Sequence, residues 1–145
     1  MGNQRGTGVR KFDIIDHTAD VGVAAHGATR EELFGNAALG MFTVIGDLGR
    51  VAPREKRDVI VDAKDLESLL VSFLAELLFI HEIHHFMICD VRVDFVTDTR
   101  VQATVRGEAL SPKHEIYTEI KAVTHHDLKV EHTGDGWNAT VLFDI

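Results

Sequence analysis

The chain has one cysteine, Cys89. A single thiol excludes an internal disulfide, so the sequence fits a reducing compartment, the cytoplasm, and relies on its core rather than on covalent staples. Its apolar surroundings make Cys89 a small buried hydrophobe at the start of a strand. No apolar run reaches the length needed to cross a bilayer, so no membrane partner is expected. The first residues lack the basic start, apolar stretch and small-residue cleavage site of a secretory signal. Met1-Gly2 opens like a myristoylation site, but Gly6 stands where Ser or Thr is required. A G-x-S-x-G elbow, a Walker loop, a dinucleotide fingerprint and a C-x-x-C pair are all missing, which leaves no evident nucleophile. Positive charge is short too: 15 Lys and Arg face 23 Asp and Glu, a net charge of −8. That balance opposes the attraction to phosphate backbones that carries most nucleic-acid affinity, so contact with RNA is expected only through another protein.

What is present fits one domain. A chain of 145 residues with 45% hydrophobic content is long enough to bury a single core. Met1 to Arg10 read as a flexible N-terminal tail, with the folded domain over 11–145. Val21, Val23 and Ala25 alternate as in a half-buried strand that Gly27 ends. Thr29-Arg30-Glu31-Glu32 is a capping box, and Leu33, Phe34, Ala37, Ala38, Met41, Phe42 and Ile45 follow on one helical face, with Gly46 suited to a left-handed C′ position. A short strand is expected near Arg57 to Ala63. The segment Asp65 to His85 is the most apolar. Leu66, Leu69, Leu70, Phe73, Leu74, Leu77 and Ile80 form a stripe that Val71, Leu78 and Phe79 widen, and a narrow polar strip runs through Asp65, Ser68, Ser72 and Glu76.

From Phe86 the period becomes two. Val91, Val93 and Phe95, then Val101, Ala103 and Val105, predict a hairpin turning at Thr97-Asp98-Thr99. After a loop at Ser111-Pro112-Lys113, two last strands are expected, about Thr118 to His132 and Trp137 to Ile145, joined through Gly134-Asp135-Gly136. With Asp135-Gly136 as the turn, Val130 opposes Val141 and Asp127 opposes Asp144, a like-charge pair that a cation or solvent would relieve. The fold class is therefore α+β: a single compact domain in which a mixed or antiparallel sheet packs with two main helices, at about 29–45 and 65–85.

Two constellations could carry chemistry. His81-Glu82-Ile83-His84-His85 satisfies H-E-x-x-H, the zinc-hydrolase pattern. It falls at a helix end, however, where a distorted last turn holds two ligands poorly and where histidines interact favourably with the helix dipole. His125, His126 and His132 lie in or beside a strand, whose alternation points His125 and His126 to opposite faces. The second constellation is oxygen-rich. Asp16-His17-Thr18-Ala19-Asp20 opens the first strand, and the chain finishes on Phe143-Asp144-Ile145, so Asp16, Asp20, Asp144 and the terminal carboxylate of Ile145 supply the ligand type that hard cations prefer if the two ends meet. The same aspartates also fit an ordinary solvated edge.

At these residues the sequence closely resembles the archease family, from about Phe12 to Ile145. The stretches that carry the resemblance are Asp16-His17-Thr18-Ala19-Asp20-Val21-Gly22, Glu32-Leu33-Phe34 with Ala37-Ala38, Leu69 through Leu78, Gly107-Glu108, His114-Glu115, Ile120-Lys121-Ala122-Val123-Thr124, His126-Asp127-Leu128 and Asp144-Ile145. The resemblance implies a compact α+β protein that activates an RtcB-type tRNA-splicing RNA ligase, promoting guanylylation of the ligase's histidine and multiple turnover, with no catalysis of its own. It implies a divalent cation, calcium first with magnesium or manganese as alternatives, on Asp20, Asp144 and Ile145, and a functional lysine at Lys121. His125 departs from the family pattern, which usually carries an aromatic there. A zinc-dependent hydrolase using His81, Glu82 and His85, or a chaperone or adaptor, are the competing expectations.

Overall fold

The computed structural model describes residues 11–16 and 20–145. The tail expected over 1–10 and the residues His17, Thr18 and Ala19 lie outside the described residues. In chain order the elements are β1 (Phe12–Asp16), β2 (Asp20–Gly27), α1 (Arg30–Ile45), β3 (Glu55–Asp62), α2 (Leu66–Ile83), β4 (Phe86–Val96), β5 (Arg100–Ala109), β6 (Ala122–Val123), β7 (Lys129–Thr133) and β8 (Gly136–Asp144). One sheet runs β1-β2-β8, with both β6 and β7 pairing to the free side of β8, and the other runs β3-β5-β4. All pairings are antiparallel. Helix α1 touches β2 and β8 of the first sheet and β4 of the second, so a single core joins the two sheets.

The expected apolar face of α1 is buried from Leu33 through Ile45. The helix lies so close to β2 that a Cβ on Gly40 would sit 2.8 Å from Val23 Cγ1, an approach only glycine permits. Its cap differs from the expected box in one detail. Thr29 Oγ1 accepts the Glu32 amide at 3.1 Å, but the Glu32 carboxylate takes the amide of Ala28, one residue further back. Gly46 is a correction: its φ of −170° is extended, not left-handed. Glycine is needed there because the backbone of the 110–121 segment crosses at that point, and a Cβ would meet Glu115 O at 2.5 Å.

Helix α2 is capped by Asp65, whose carboxylate accepts the Ser68 amide at 2.8 Å. Its stripe is buried from Leu69 through Ile80 as expected, except that Leu66 at its start is half-buried and Phe79 is 50% exposed. The last strands also need correction. Thr133 pairs with Gly136, so Gly134-Asp135 forms the turn and Val130 opposes Ala139. The long strand expected from Thr118 is broken, because residues 124–128 bulge out opposite the two β8 residues Val141 and Leu142. Asp127 makes the bend with φ 52°, a left-handed conformation that aspartate tolerates.

A buried carboxylate fastens the 110–121 segment. Glu108 accepts from the Ala52 amide (2.8 Å), Lys113 Nζ (2.8 Å), His114 Nε2 (2.9 Å) and Arg54 Nε (3.1 Å). Because His114 Nδ1 accepts the Ser111 amide at 3.0 Å, the ring carries its proton on Nε2, the atom facing Glu108. The Ala52 amide, then Lys113 and His114, hold the Glu108 carboxyl at about 2 against an ordinary 4.5. A depressed folded value gives stability that is complete above the unfolded pKa and is lost as pH falls through the folded one. Glu108→Gln is therefore expected to melt well below the parent at pH 7, with the gap closing between about pH 4.5 and 2 in thermal denaturation. A gap that stays constant across that window would contradict this role.

Candidate metal centre

Strand alternation sorts β2 into two faces. Val21, Val23 and Ala25 point to the core, and Asp20 points away from it. In β8 the core-facing set is Ala139, Val141 and Phe143, and Asp144 faces outward. The β2–β8 register places Asp20 directly opposite Asp144, and β6 places Ala122 on the other flank of Asp144. One outward row therefore reads Asp20, Asp144, Ala122. Directly opposed residues hold their Cβ atoms about 4.5–5.5 Å apart, so the two carboxylates share one patch, and Ala122 offers only a methyl beside them. The Lys121 amide donates to the Asp144 carbonyl at 2.7 Å. Ile145, the last residue, follows at once and is 39% exposed. Asp20, Asp144, Ile145 and Lys121 thus gather at one end of one sheet.

Asp20 carries an unusual atom. Its Oδ1 is the only buried side-chain polar atom among the described residues without a hydrogen-bond partner. An unpaired buried carboxylate oxygen is costly, and in native structures such an atom calls for a partner outside the protein's own set. Among the described residues no three His, Cys, Asp or Glu side chains converge as a metal-binding group. A cation held here would be completed by the Ile145 terminal carboxylate, carbonyls or water. That all-oxygen donor set fits calcium, magnesium or manganese better than zinc.

The other sequence candidates separate. Asp16 pairs with Val21, so it lies on the opposite face from Asp20. Asp127 sits in the 124–128 bulge beside His126, at 3.5 Å, and not across from Asp144. The like-charge opposition expected for it exists at Asp20 instead. The H-E-x-x-H reading fails on backbone geometry. Helix α2 ends at Ile83, His84 caps it and accepts from Arg57 Nη1 at 2.8 Å, and His85 has left the helix with φ 52°. His81 donates from Nδ1 to the Phe86 carbonyl at 3.0 Å, and burial pushes its pKa down. His125 and His126 are exposed, and His132 stacks on Trp137 with centroids 4.4 Å apart. Burial and the neighbouring Asp90 and Glu108 charges push the Cys89 thiol up, which makes it unreactive. Sequence reasoning missed Glu108 with its four donors. It also missed the place of Ala122, for which a small residue at a register position was the only signal.

The archease protein family matches residues 12–145. The chain belongs to the archease family. An archease of Methanosarcina barkeri is 40% identical over 141 residues, covering 94% of this chain and 97% of the relative. An archease of Thermococcus gammatolerans is 43% identical over 142 residues, covering 94% and 100%. In three dimensions the chain is similar to the solution structure of protein 1598 of Methanobacterium thermoautotrophicum, with a TM-score of 0.79 and 37% identity over 93% of this chain and 99% of that one. The single α+β domain with two helices and antiparallel sheets is thus the archease fold.

Opposed like charges in a strand pair cost about 0.2–1 kcal/mol. In chelator, Asp20→Asn is therefore expected to raise the melting temperature by about 1–3 °C. An unchanged or lowered midpoint would show that the two carboxylates do not strain the metal-free protein.

Proposed function

We propose that this protein activates an RtcB-type RNA ligase in the cytoplasm, promoting guanylylation of the ligase's histidine and multiple turnover, and performs no catalysis itself. The observation that carries this reading is the orphaned Asp20 Oδ1 in a row with Asp144, beside Lys121 and the chain end. The carboxylates of Asp20 and Asp144 and the terminal carboxylate of Ile145 would hold one hard divalent cation, calcium foremost. A cation bound there supplies positive charge against phosphate oxygens, the interaction that nucleotidyl transfer most needs. The chain's own contribution is positioning. The β2–β8 ladder fixes both carboxylates on strands rather than on loops, and the methyl of Ala122 leaves one flank open to an incoming group. Lys121 is exposed, and its backbone is pinned to Asp144, so its ammonium can meet a phosphate or an acidic partner residue as a point charge. With a net charge of −8, recognition of RNA is left to the ligase. An activator of this kind need only bind the competent state of its partner a few kcal/mol more tightly than the other.

The test is a multiple-turnover RNA ligation assay with the matching ligase. Asp20→Ala, Lys121→Ala and a chain lacking Ile145 should each lose roughly tenfold or more of the stimulation. If both carboxylate variants stimulate like the parent, the metal reading falls, and a general chaperone or adaptor role becomes the better one.

A further inference from the structure

The H-E-x-x-H residues, which hold no metal geometry, line a different feature. Between the end of α2 and the 110–121 segment lies a cavity of about 230 Å³, room for one side chain. Leu110, Ile116 and Ile120 give it apolar walls, and Glu82 and Glu119 bring carboxylates. Neither carboxylate has an ion-pair or hydrogen-bond partner among the described residues. His81 and His85 also line it, and burial pushes the His81 pKa below its ordinary value, so the two carboxylates are the charges the cavity presents. Ile116 is 44% exposed, and Tyr117, the next residue in the chain, is 59% exposed. Asp47 and Glu115 lie near the Tyr117 phenol, and the nearby Arg50 guanidinium is spent on those two carboxylates at 3.5 and 3.9 Å.

These exposed apolar side chains sit on a fixed backbone. The Tyr117 amide donates to the Ile45 carbonyl at 2.7 Å, the Asp47 amide to the Glu115 carbonyl at 3.0 Å, and Gly46 bridges to Ile116. His114 is anchored on Glu108 upstream, and Ile120 is buried downstream. An exposed aromatic held rigidly loses little entropy on binding, which suits an interface anchor. The segment then runs directly into Lys121, whose amide holds Asp144. The cavity residue Glu119 is thus two positions along the chain from Lys121.

We infer that Tyr117, Ile116 and the cavity lined by Glu82 and Glu119 form a docking surface for an arginine-bearing face of a protein partner. An arginine matches the cavity, with its aliphatic stem against Leu110, Ile116 and Ile120 and its guanidinium toward the two carboxylates. A second cation on the same partner face would meet the Tyr117 ring, which Asp47 and Glu115 flank. Enzymes that hold RNA carry such basic residues around their clefts, whereas RNA itself is repelled by this surface. The inference rests on the ligase-activation reading and deepens it: docking here would set the carboxylate row against the partner's cleft.

The experiment is equilibrium binding of the full-length chain to the RtcB-type ligase, with sedimentation of the chain alone. Tyr117→Ala and Glu119→Lys, both at exposed positions, should each weaken binding about tenfold or more and raise the concentration needed for half-maximal stimulation. Ile60→Ser, an equally exposed apolar residue on the outer face of the β3-β5-β4 sheet, should bind as the parent does. Parent-like binding by both Tyr117→Ala and Glu119→Lys would overturn the docking surface and leave the ligase reading standing. A parent that neither binds nor stimulates the ligase would remove both. A parent that self-associates through Tyr117, or binds RNA through it, would also overturn the assignment.

Discussion

The register between β2 and β8 is the constraint on which the rest depends. It runs unbroken from Asp20 opposite Asp144 to Gly27 opposite Trp137. A slip of one residue would turn Val23, Val141 and Phe143 outward, and each is now at most 1% exposed. Burying one such side chain is worth about 1.5–3 kcal/mol, whereas opposing two like charges costs about 0.2–1 kcal/mol. The core therefore decides the pairing, and the two aspartates are carried opposite each other as a consequence. An acidic row that would be unfavourable on its own persists because an apolar ladder enforces it, and the proposed cation would relieve that opposition.

The same logic extends outward from the strand pair. Gly40 lets α1 lie directly on Val23, and the helix ends at Ile45, whose carbonyl then receives the Tyr117 amide. Glu108 fastens the start of the 110–121 segment through His114, and Ile120 buries its end. Lys121 thereby arrives beside Asp144 on a backbone tied at both ends. Residues far apart in sequence act as one edge because each connection is short and hydrogen-bonded, and because the bulge at 124–128 absorbs the surplus chain before β7 resumes pairing.

Much of this was legible in the residues. The 3.6-residue stripes of α1 and α2 and the two-residue alternation of β4 and β5 appear where periodicity put them, because each buries its apolar face in the way the period requires. That Asp20 lies opposite Asp144 was readable from ligand type together with family resemblance, whereas Asp16, expected in the same set, falls on the other face. Other features depend on contacts that no local pattern encodes. Gly46 is small because Glu115 crosses it, not because its own φ demands it. The choice of Gly134-Asp135 over Asp135-Gly136 as the turn shifts the whole register, and both dipeptides suit a tight turn. The H-E-x-x-H pattern misled because α2 stops at Ile83, so His85 never reaches a helical turn. Glu108 draws donors from residues as distant as Ala52 and Arg54, a constellation that exists only after folding.

The proposed sharing of one hard cation between Asp20 and Asp144 is tested most directly by titrating isotope-labelled, chelator-treated protein with calcium and following backbone amide shifts by NMR. The expected result is a saturable set of changes centred on Asp20, Ala122, Asp144 and Ile145, absent in Asp144→Asn. Changes centred on His81 to His85, or none at all up to millimolar calcium, would contradict it.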